Sequence, residues 1–386
     1  MHGFPYWRLS GYYFFYFAFV GAFSPYFGLY LKSLSFSAWD ISVLMTQMQL
    51  MRLFGPYLWG LLVDRVGHRV PIIRLTGVIT LAVFSIFFMS RDFSAFLLAM
   101  ALFSFFWVAA LPLIETLTFD HLRENASRYS QVRLWGSIGF IVAVMGTGAL
   151  LDQLGVPSLL GAIVVTLGGI VCCGMLVPEA PPKQGYEVHP PVGQILRQPR
   201  VRALLGASFS MSAAHGALYI FYSIYLSEHG YSKLMAGSLW SLGVLAEIGV
   251  FLAMSRVMRR FSMRRILLAS FGAAVLRFVL IGYGVESLPV LVLAQLMHGL
   301  TFGSHHAASI AAVNTWFPGN TRSRGQALYS SLSFGAGGLV GGLAAGWAWD
   351  HCGSEVAFAL GSVFGLIGLI LVARWIPVPS NEKSVR

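Results

Sequence analysis

Apolar residues run along this chain in long stretches, and polar or turn-forming clusters cut them into twelve segments: 7–31, 40–63, 70–90, 93–119, 130–152, 156–177, 203–227, 232–255, 265–285, 287–316, 325–349 and 355–376. Each segment holds about 20 to 30 residues, enough at 1.5 Å per residue to cross a hydrocarbon core of about 30 Å. The run from Trp7 to Leu31 is too long for the apolar core of a signal peptide. No small-residue cleavage site precedes Lys32 and Ser33, so the pattern predicts an uncleaved first helix. Twelve such helices use up nearly the whole chain and leave little for a soluble catalytic domain or a nucleic-acid module. The expected fold class is an all-α membrane protein.

Composition agrees: 56% of the 386 residues are hydrophobic, 11% are charged, and the mean hydropathy is +0.71. The net charge of +11 is explained by where the bases sit, not by a surface for nucleic acid. With the N-terminus inside, the inner loops carry Arg8; Arg65, Arg69 and Arg74; Arg123, Arg128 and Arg133; and Lys183, Arg197, Arg200 and Arg202. In the second half they carry Arg256, Arg259, Arg260, Arg264 and Arg265; Arg322 and Arg324; and Arg374, Lys383 and Arg386. Outer loops hold only Lys32, Arg91 and Lys233, which leaves Arg52 and Arg277 inside predicted helices. Retention of positive charge on the cytoplasmic side then places both termini in the cytoplasm.

The three cysteines, Cys172, Cys173 and Cys352, form no CxxC pair and are expected in helix packing. The longest polar interval, rich in proline, lies mid-chain and predicts a cytoplasmic linker (178–202) between six-helix bundles at 1–177 and 203–386. An offset of 195 superposes the two halves almost without gaps. It pairs Gly11 with Gly206, Phe14 with Phe209, Gly21 with Gly216, Tyr30 with Tyr225 and Ser37 with Ser232, then Leu44 with Leu239, Arg65 with Arg260, Arg69 with Arg264, Gly77 with Gly272 and Gln131 with Gln326. Two parallel repeats are the architecture of alternating-access carriers, whose site lies at the midplane between halves.

The loop after the second segment reads Gly60-Leu-Leu-Val-Asp64-Arg65-Val-Gly67-His68-Arg69 and resembles the G-x-x-x-D-R-x-G-R-R signature of the major facilitator superfamily, with His68 where the pattern usually has a base. As a gate, Gly60 would permit close helix approach, Asp64 would cap a neighbouring helix, and Arg65 and Arg69 would make exchangeable ion pairs beside the Gly67 turn. In the second half Arg259 stands at the position of Asp64. Three further strings are similar to the phenylpropionate-permease group, a relative of the lactose permease and the nucleoside:proton symporters. They are Tyr129-Ser-Gln-Val-Arg133-Leu-Trp135-Gly136-Ser137, Ala214-His215-Gly-Ala-Leu-Tyr219 and Leu239-Trp240-Ser241-Leu242-Gly243-Val244-Leu-Ala246-Glu247, joined by His298 and His306. The resemblance covers essentially the full length. It implies a monomeric carrier in the bacterial inner membrane that moves a small organic solute, such as an aromatic carboxylate, with protons and without a cofactor. A sugar or nucleoside symporter and an exporter of the same fold are the alternatives.

Ionisable side chains inside membrane helices are costly and are expected to face a cavity or a partner. Six stand out: Arg52, Glu115, Arg133, Glu247, Arg277 and His298, with Arg52 and Glu247 at the same position of the two repeats. By resemblance to the lactose permease, Glu115 and Arg133 match an acid and an arginine that hold substrate, and Glu247, Arg277 and His298 match part of its sugar and proton machinery. The predicted tenth helix has no carboxylate, so the proton site is expected at Glu247, Glu115 or a histidine such as His298 or His306. Glu247 is expected to be buried among Trp240, Leu245 and Phe251. His215 reads either as a core donor or as a cavity-lining proton carrier. His298 and His305, seven apart, share a helical face without any nearby acid or cysteine, which disfavours a metal site. Tyr12, Tyr16, Phe19, Phe23 and Tyr26, and likewise Tyr219, Tyr222 and Tyr225, recur at helical steps. Such stripes usually mean lipid-facing or interhelical packing, yet the cost of a tyrosine hydroxyl in lipid favours a cavity wall for some, with Tyr16, Tyr219 and Tyr222 as substrate candidates. Nothing in the chain pairs a nucleophile with a base, which argues against a membrane enzyme or receptor.

Overall fold

The computed structural model describes residues 4–122, 128–180 and 192–377, and no strand occurs among them. The long helices are α1 (Tyr6–Ser33), α2 (38–66), α3 (Val70–Met89), α4 (Phe93–Leu122), α5 (Tyr129–Leu154) and α6 (Val156–Leu176), then α7 (Pro199–Glu228), α8 (Lys233–Arg260), α9 (Met263–Tyr283), α10 (288–316), α11 (Arg322–Cys352) and α12 (Ser354–Trp375). Ten are long and apolar enough to cross a membrane; α2 and α10, expected as continuous spans, are instead divided. In α2 the break is at Thr46, whose hydroxyl takes the carbonyl of Ser42 at 2.7 Å. In α10 a π-helical segment, Gly299–Ser304, separates Leu288–Leu296 from His305–Trp316.

Helix ends depart from the hydropathy pattern for local reasons. α7 begins at Pro199, because proline's fixed φ and missing N–H suit the first helical position. α8 continues to Arg260, past the last apolar turn, because cations are stabilised at a helix C-terminus. Of the 178–202 linker, 181–191 lies outside the described residues, as do Arg123, Lys183, Lys383 and Arg386.

The chain divides into two compact units, Met1–Gly185 with Ile220–Ser241, and Tyr186–Tyr219 with Leu242–Arg386. In the first, α1 packs on α5 and α6, and α3 on α4 and α6; in the second, α7 packs on α11 and α12, and α9 on α10 and α12. The 195-residue offset is thus visible as the same helix pairings. A Cβ on Gly21 would lie 2.6 Å from the Phe140 carbonyl oxygen of α5, and one on its repeat-mate Gly216 would collide with Gly341 of α11. Ser37 and Ser232 are equivalent N-caps, accepting from Asp40 N and Met235 N, each at 3.0 Å.

The aromatic stripe of α1 lies inside the first unit and not against lipid: Tyr12, Phe19 and Tyr26 are fully buried. Also in this unit, the Asp152 carboxylate receives the backbone N–H groups of Lys233 and Leu234, both at 2.9 Å, and Tyr26 donates to Val144 O at 2.8 Å. Lys32 pairs with Glu228. Cys173 packs against Gly11 of α1, whereas Cys172 and Cys352 are exposed, contrary to their expected place in packing.

Candidate functional site

The second unit is organised around Arg277 of α9, which has no exposed surface. Its Nε donates to Ala294 O at 2.7 Å and its Nη2 to Gln295 Oε1 at 3.3 Å. Nη1 lies 2.9 Å from Thr301 Oγ1, 3.1 Å from His298 Nδ1 and 3.2 Å from His215 Nε2. Arginine only donates, so both imidazole nitrogens facing it accept, which fixes each neutral tautomer. The proton of His215 is then on Nδ1, donated to Met211 O at 2.8 Å, and that of His298 is on Nε2, 3.8 Å from Glu247 Oε2.

Local structure makes this convergence possible. The His215 ring takes the carbonyl that would otherwise continue the helical ladder, and α7 breaks there between Ala214 and Gly216. The π-helical turn of α10 brings Thr301 toward Arg277, while Gly303 passes against Glu247 and Val250 of α8. It also resets the helical face: His298, Phe302 and His306 stack in one column with ring planes 10° apart, and His306 meets the Tyr329 hydroxyl at 3.1 Å. His305 turns instead toward Phe271, so it does not share a face with His298 as the seven-residue spacing suggested. Among the described residues, no group of three His, Cys, Asp or Glu side chains could hold a metal ion.

Glu247 sits on the site-facing side of α8 with its side chain 21% exposed. Trp240 is buried as expected, but Leu245 and Phe251 are exposed and do not enclose it; its neighbours come from α10. Tyr219 stacks on His215 at 5.7 Å. Tyr222 belongs to the first unit, where it is fully buried edge-on to Trp240.

The first unit gathers a different set. Tyr129 donates to Glu115 Oε1 at 3.0 Å, and the Arg133 guanidinium lies 3.8 Å from the centre of the Phe17 ring. Tyr16 is stacked on Trp107 with centroids 4.5 Å apart and planes 8° apart. Arg52, expected as a buried charge, is exposed. Among the described residues neither Arg133 nor Arg52 has a carboxylate within ion-pair distance.

The profile of the MFS_1 like family matches residues 6–360. The chain belongs to that family. It is a multi-pass membrane protein of the major facilitator fold and a member of a transporter family. It is 26% identical over 360 residues to the probable 3-phenylpropionic acid transporter of Escherichia coli (strain K12), covering 92% of this chain and 94% of that one. The maltose permease of Geobacillus stearothermophilus is 24% identical over 379 residues, covering 96% and 95%. The crystal structure of the nucleoside transporter NupG superposes with a TM-score of 0.86 at 17% identity, over 97% of this chain and 99% of that one.

In this MFS_1 like chain the loop after α2 is packed differently from the sequence expectation. Gly67 ends the helix with φ of 76°, but a Cβ on Gly60 would meet nothing within 4 Å, so Gly60 holds no close approach. Asp64 and Arg65 are exposed, and among the described residues Asp64 caps no helix. The cap on α3 is Glu179, whose carboxylate accepts from Val70 N at 2.9 Å. Arg69 is bound by Asp120 of α4 at 2.7 Å, and Arg74 donates to carbonyls at the end of α6. Sequence reasoning missed Asp120, Glu179, Gln295 and Thr301. Only the first two carried a signal, as acids close to helix ends.

Proposed function

We propose that this chain is a proton-coupled secondary transporter that takes up a small organic anion bearing a ring, such as an aromatic carboxylate, by alternating access. The observation that carries the substrate reading is Arg133, held face-on to Phe17 with no carboxylate partner among the described residues and close to the stacked Tyr16–Trp107 pair. A guanidinium offers a carboxylate two parallel N–H donors, and aromatic walls accept the ring. Arg277, the other sequence candidate, has its donors engaged by protein acceptors and is assigned to the proton machinery. Glu115, tied to Tyr129, orients the substrate pocket. The phenylpropionic acid named for the Escherichia coli relative fits this chemistry.

Glu247 is assigned the coupled proton. Arg277 contacts His298, and His298 in turn faces the Glu247 carboxylate at 3.8 Å, so the two charges are linked across the imidazole. Ionised Glu247 offsets the buried cation through the imidazole and protonated Glu247 does not, so a bound proton and a bound anion are energetically linked. Asp64 and Arg65 are assigned a gating role, pairing in a conformation other than the one described. The proton gradient supplies the energy and no cofactor is needed. The protein works as a monomer in the bacterial inner membrane with both termini cytoplasmic.

Purified protein in proteoliposomes, with the outside more acidic than the inside, should accumulate 3-phenylpropionate and lose that accumulation when the gradient is collapsed. Accumulation of a nucleoside or a maltoside but no carboxylate would overturn the substrate reading. Accumulation insensitive to the gradient would overturn the coupling.

A further inference from the structure

The basic ends of the two units are built from different chemistry. In the first, Asp120 binds Arg69 and Glu179 caps α3, so acids neutralise part of the charge. At the 195-residue offset, Asp64, Asp120 and Glu179 become Arg259, Thr315 and Arg374. Every one of those acids is lost, two of them to arginine. No Asp or Glu occurs in the sequence between Glu247 and Glu286, a stretch that carries Arg256, Arg259, Arg260, Arg264 and Arg265. Arg264, at the position of Arg69, donates to Ala373 O at 2.8 Å and has no carboxylate within ion-pair distance among the described residues; its buried Nε has no hydrogen-bond partner there.

That bond joins the start of α9 to the end of α12 and so brings Arg374 to the same corner as the end of α8. Arg256, Arg259 and Arg260 fall on neighbouring positions of one helix face, and all three are exposed. Around them stand exposed Phe261, Met258 and Trp375, with the Arg374 guanidinium 5.6 Å from the Trp375 ring centre. From Lys233 to Arg256, α8 rises about 35 Å at 1.5 Å per residue, so a span crossing the hydrocarbon core delivers these arginines at headgroup level.

We propose that this corner, formed by Arg259, Arg260, Arg264 and Arg374 with Phe261 and Trp375, is a binding site for an anionic phospholipid. Guanidinium forks grip the phosphodiester while the exposed apolar and indole side chains lie along the upper acyl chains. A soluble phosphate has no use for the apolar rim, which is why the lipid is the occupant.

The test is native mass spectrometry of the intact protein released from detergent doped with equal phosphatidylglycerol and phosphatidylcholine. Wild type should retain phosphatidylglycerol selectively. R259Q/R260Q should weaken that retention roughly 30-fold, from about 1 kcal/mol, or roughly fivefold, per arginine at the membrane surface. R8Q/R128Q, which removes two exposed bases from the first unit, should leave it unchanged. R259K/R260K keeps the charge should the glutamine variant fail to fold, and should retain the lipid several-fold less tightly than wild type. Equal losses from R259Q/R260Q and R8Q/R128Q would overturn the site in favour of a diffuse charge effect. Displacement of the lipid by glycerol phosphate would overturn its assignment to lipid, and unchanged retention in R259K/R260K and R259Q/R260Q would overturn the proposal altogether.

Discussion

The two units treat a membrane-embedded arginine in opposite ways. Arg277 of the second is sealed from solvent and satisfied on Nε, Nη1 and Nη2 by a carbonyl, an amide, a hydroxyl and two imidazoles. Arg133 of the first is half-buried, lies flat on one ring and has no carboxylate within ion-pair distance among the described residues. A cation whose donors are spent on the protein can tune its neighbours but cannot bind a solute without being dismantled. One resting on an aromatic face keeps its edge N–H groups for a ligand. The duplicated architecture thus holds two arginines in different settings, one fixed by protein acceptors and one laid on an aromatic face.

The largest effect that would break this contrast is on stability. R277Q leaves His215, His298 and Thr301 facing a neutral amide in a buried pocket. It should cost on the order of 3–5 kcal/mol, seen as a large drop in thermal midpoint or in folded yield. R277K keeps the charge without the fork and should be intermediate. Substitutions at Arg133 should leave the thermal midpoint nearly unchanged but cut uptake: R133K by roughly tenfold, from loss of bidentate geometry, and R133Q by more. If R133Q were the unstable variant and R277Q the inactive but stable one, the assignments would be reversed.

A smaller effect sharpens the comparison at the basic ends. Asp120 is nearly buried but Arg69 is partly solvated, so D120N should cost about 1 kcal/mol or less, and that cost should shrink as salt is added. Thr315 takes the place of Asp120 in the second unit, so T315V should change stability by no more than a few tenths of a kcal/mol at any salt concentration. A salt-dependent loss in T315V as large as that in D120N would show that the D120N effect does not come from an ion pair.

Much of this was legible in the sequence because a bilayer imposes length and apolarity on every span, so the twelve segments emerge within a few residues. The offset of 195 also survived, since helix contacts at Gly21 and Gly216 and caps at Ser37 and Ser232 need small or hydroxyl side chains. Arg277 was visible as a costly charge; its neutral partners were not. Gln295 and Thr301 carry no ionisable signal, and the π-helical turn that aims Thr301 breaks the regular period on which sequence reading relies. Asp120 lies 51 residues from Arg69 and Glu179 lies 109 from Val70, separations that no local motif encodes. Arg52 was misjudged because its hydropathy neighbourhood implies burial, whereas the structure leaves it exposed.

In the mechanism proposed, Glu247 carries the coupled proton while the first unit binds the anion. That assignment is tested most directly by E247Q in proteoliposomes, measuring accumulation of 3-phenylpropionate under an imposed pH gradient alongside counterflow exchange without one. Glutamine keeps the shape beside His298 and removes titration. Accumulation should be abolished while exchange persists within a few-fold of wild type. Accumulation driven by the pH gradient in E247Q would contradict it and move the proton to Glu115 or to His298 and His306.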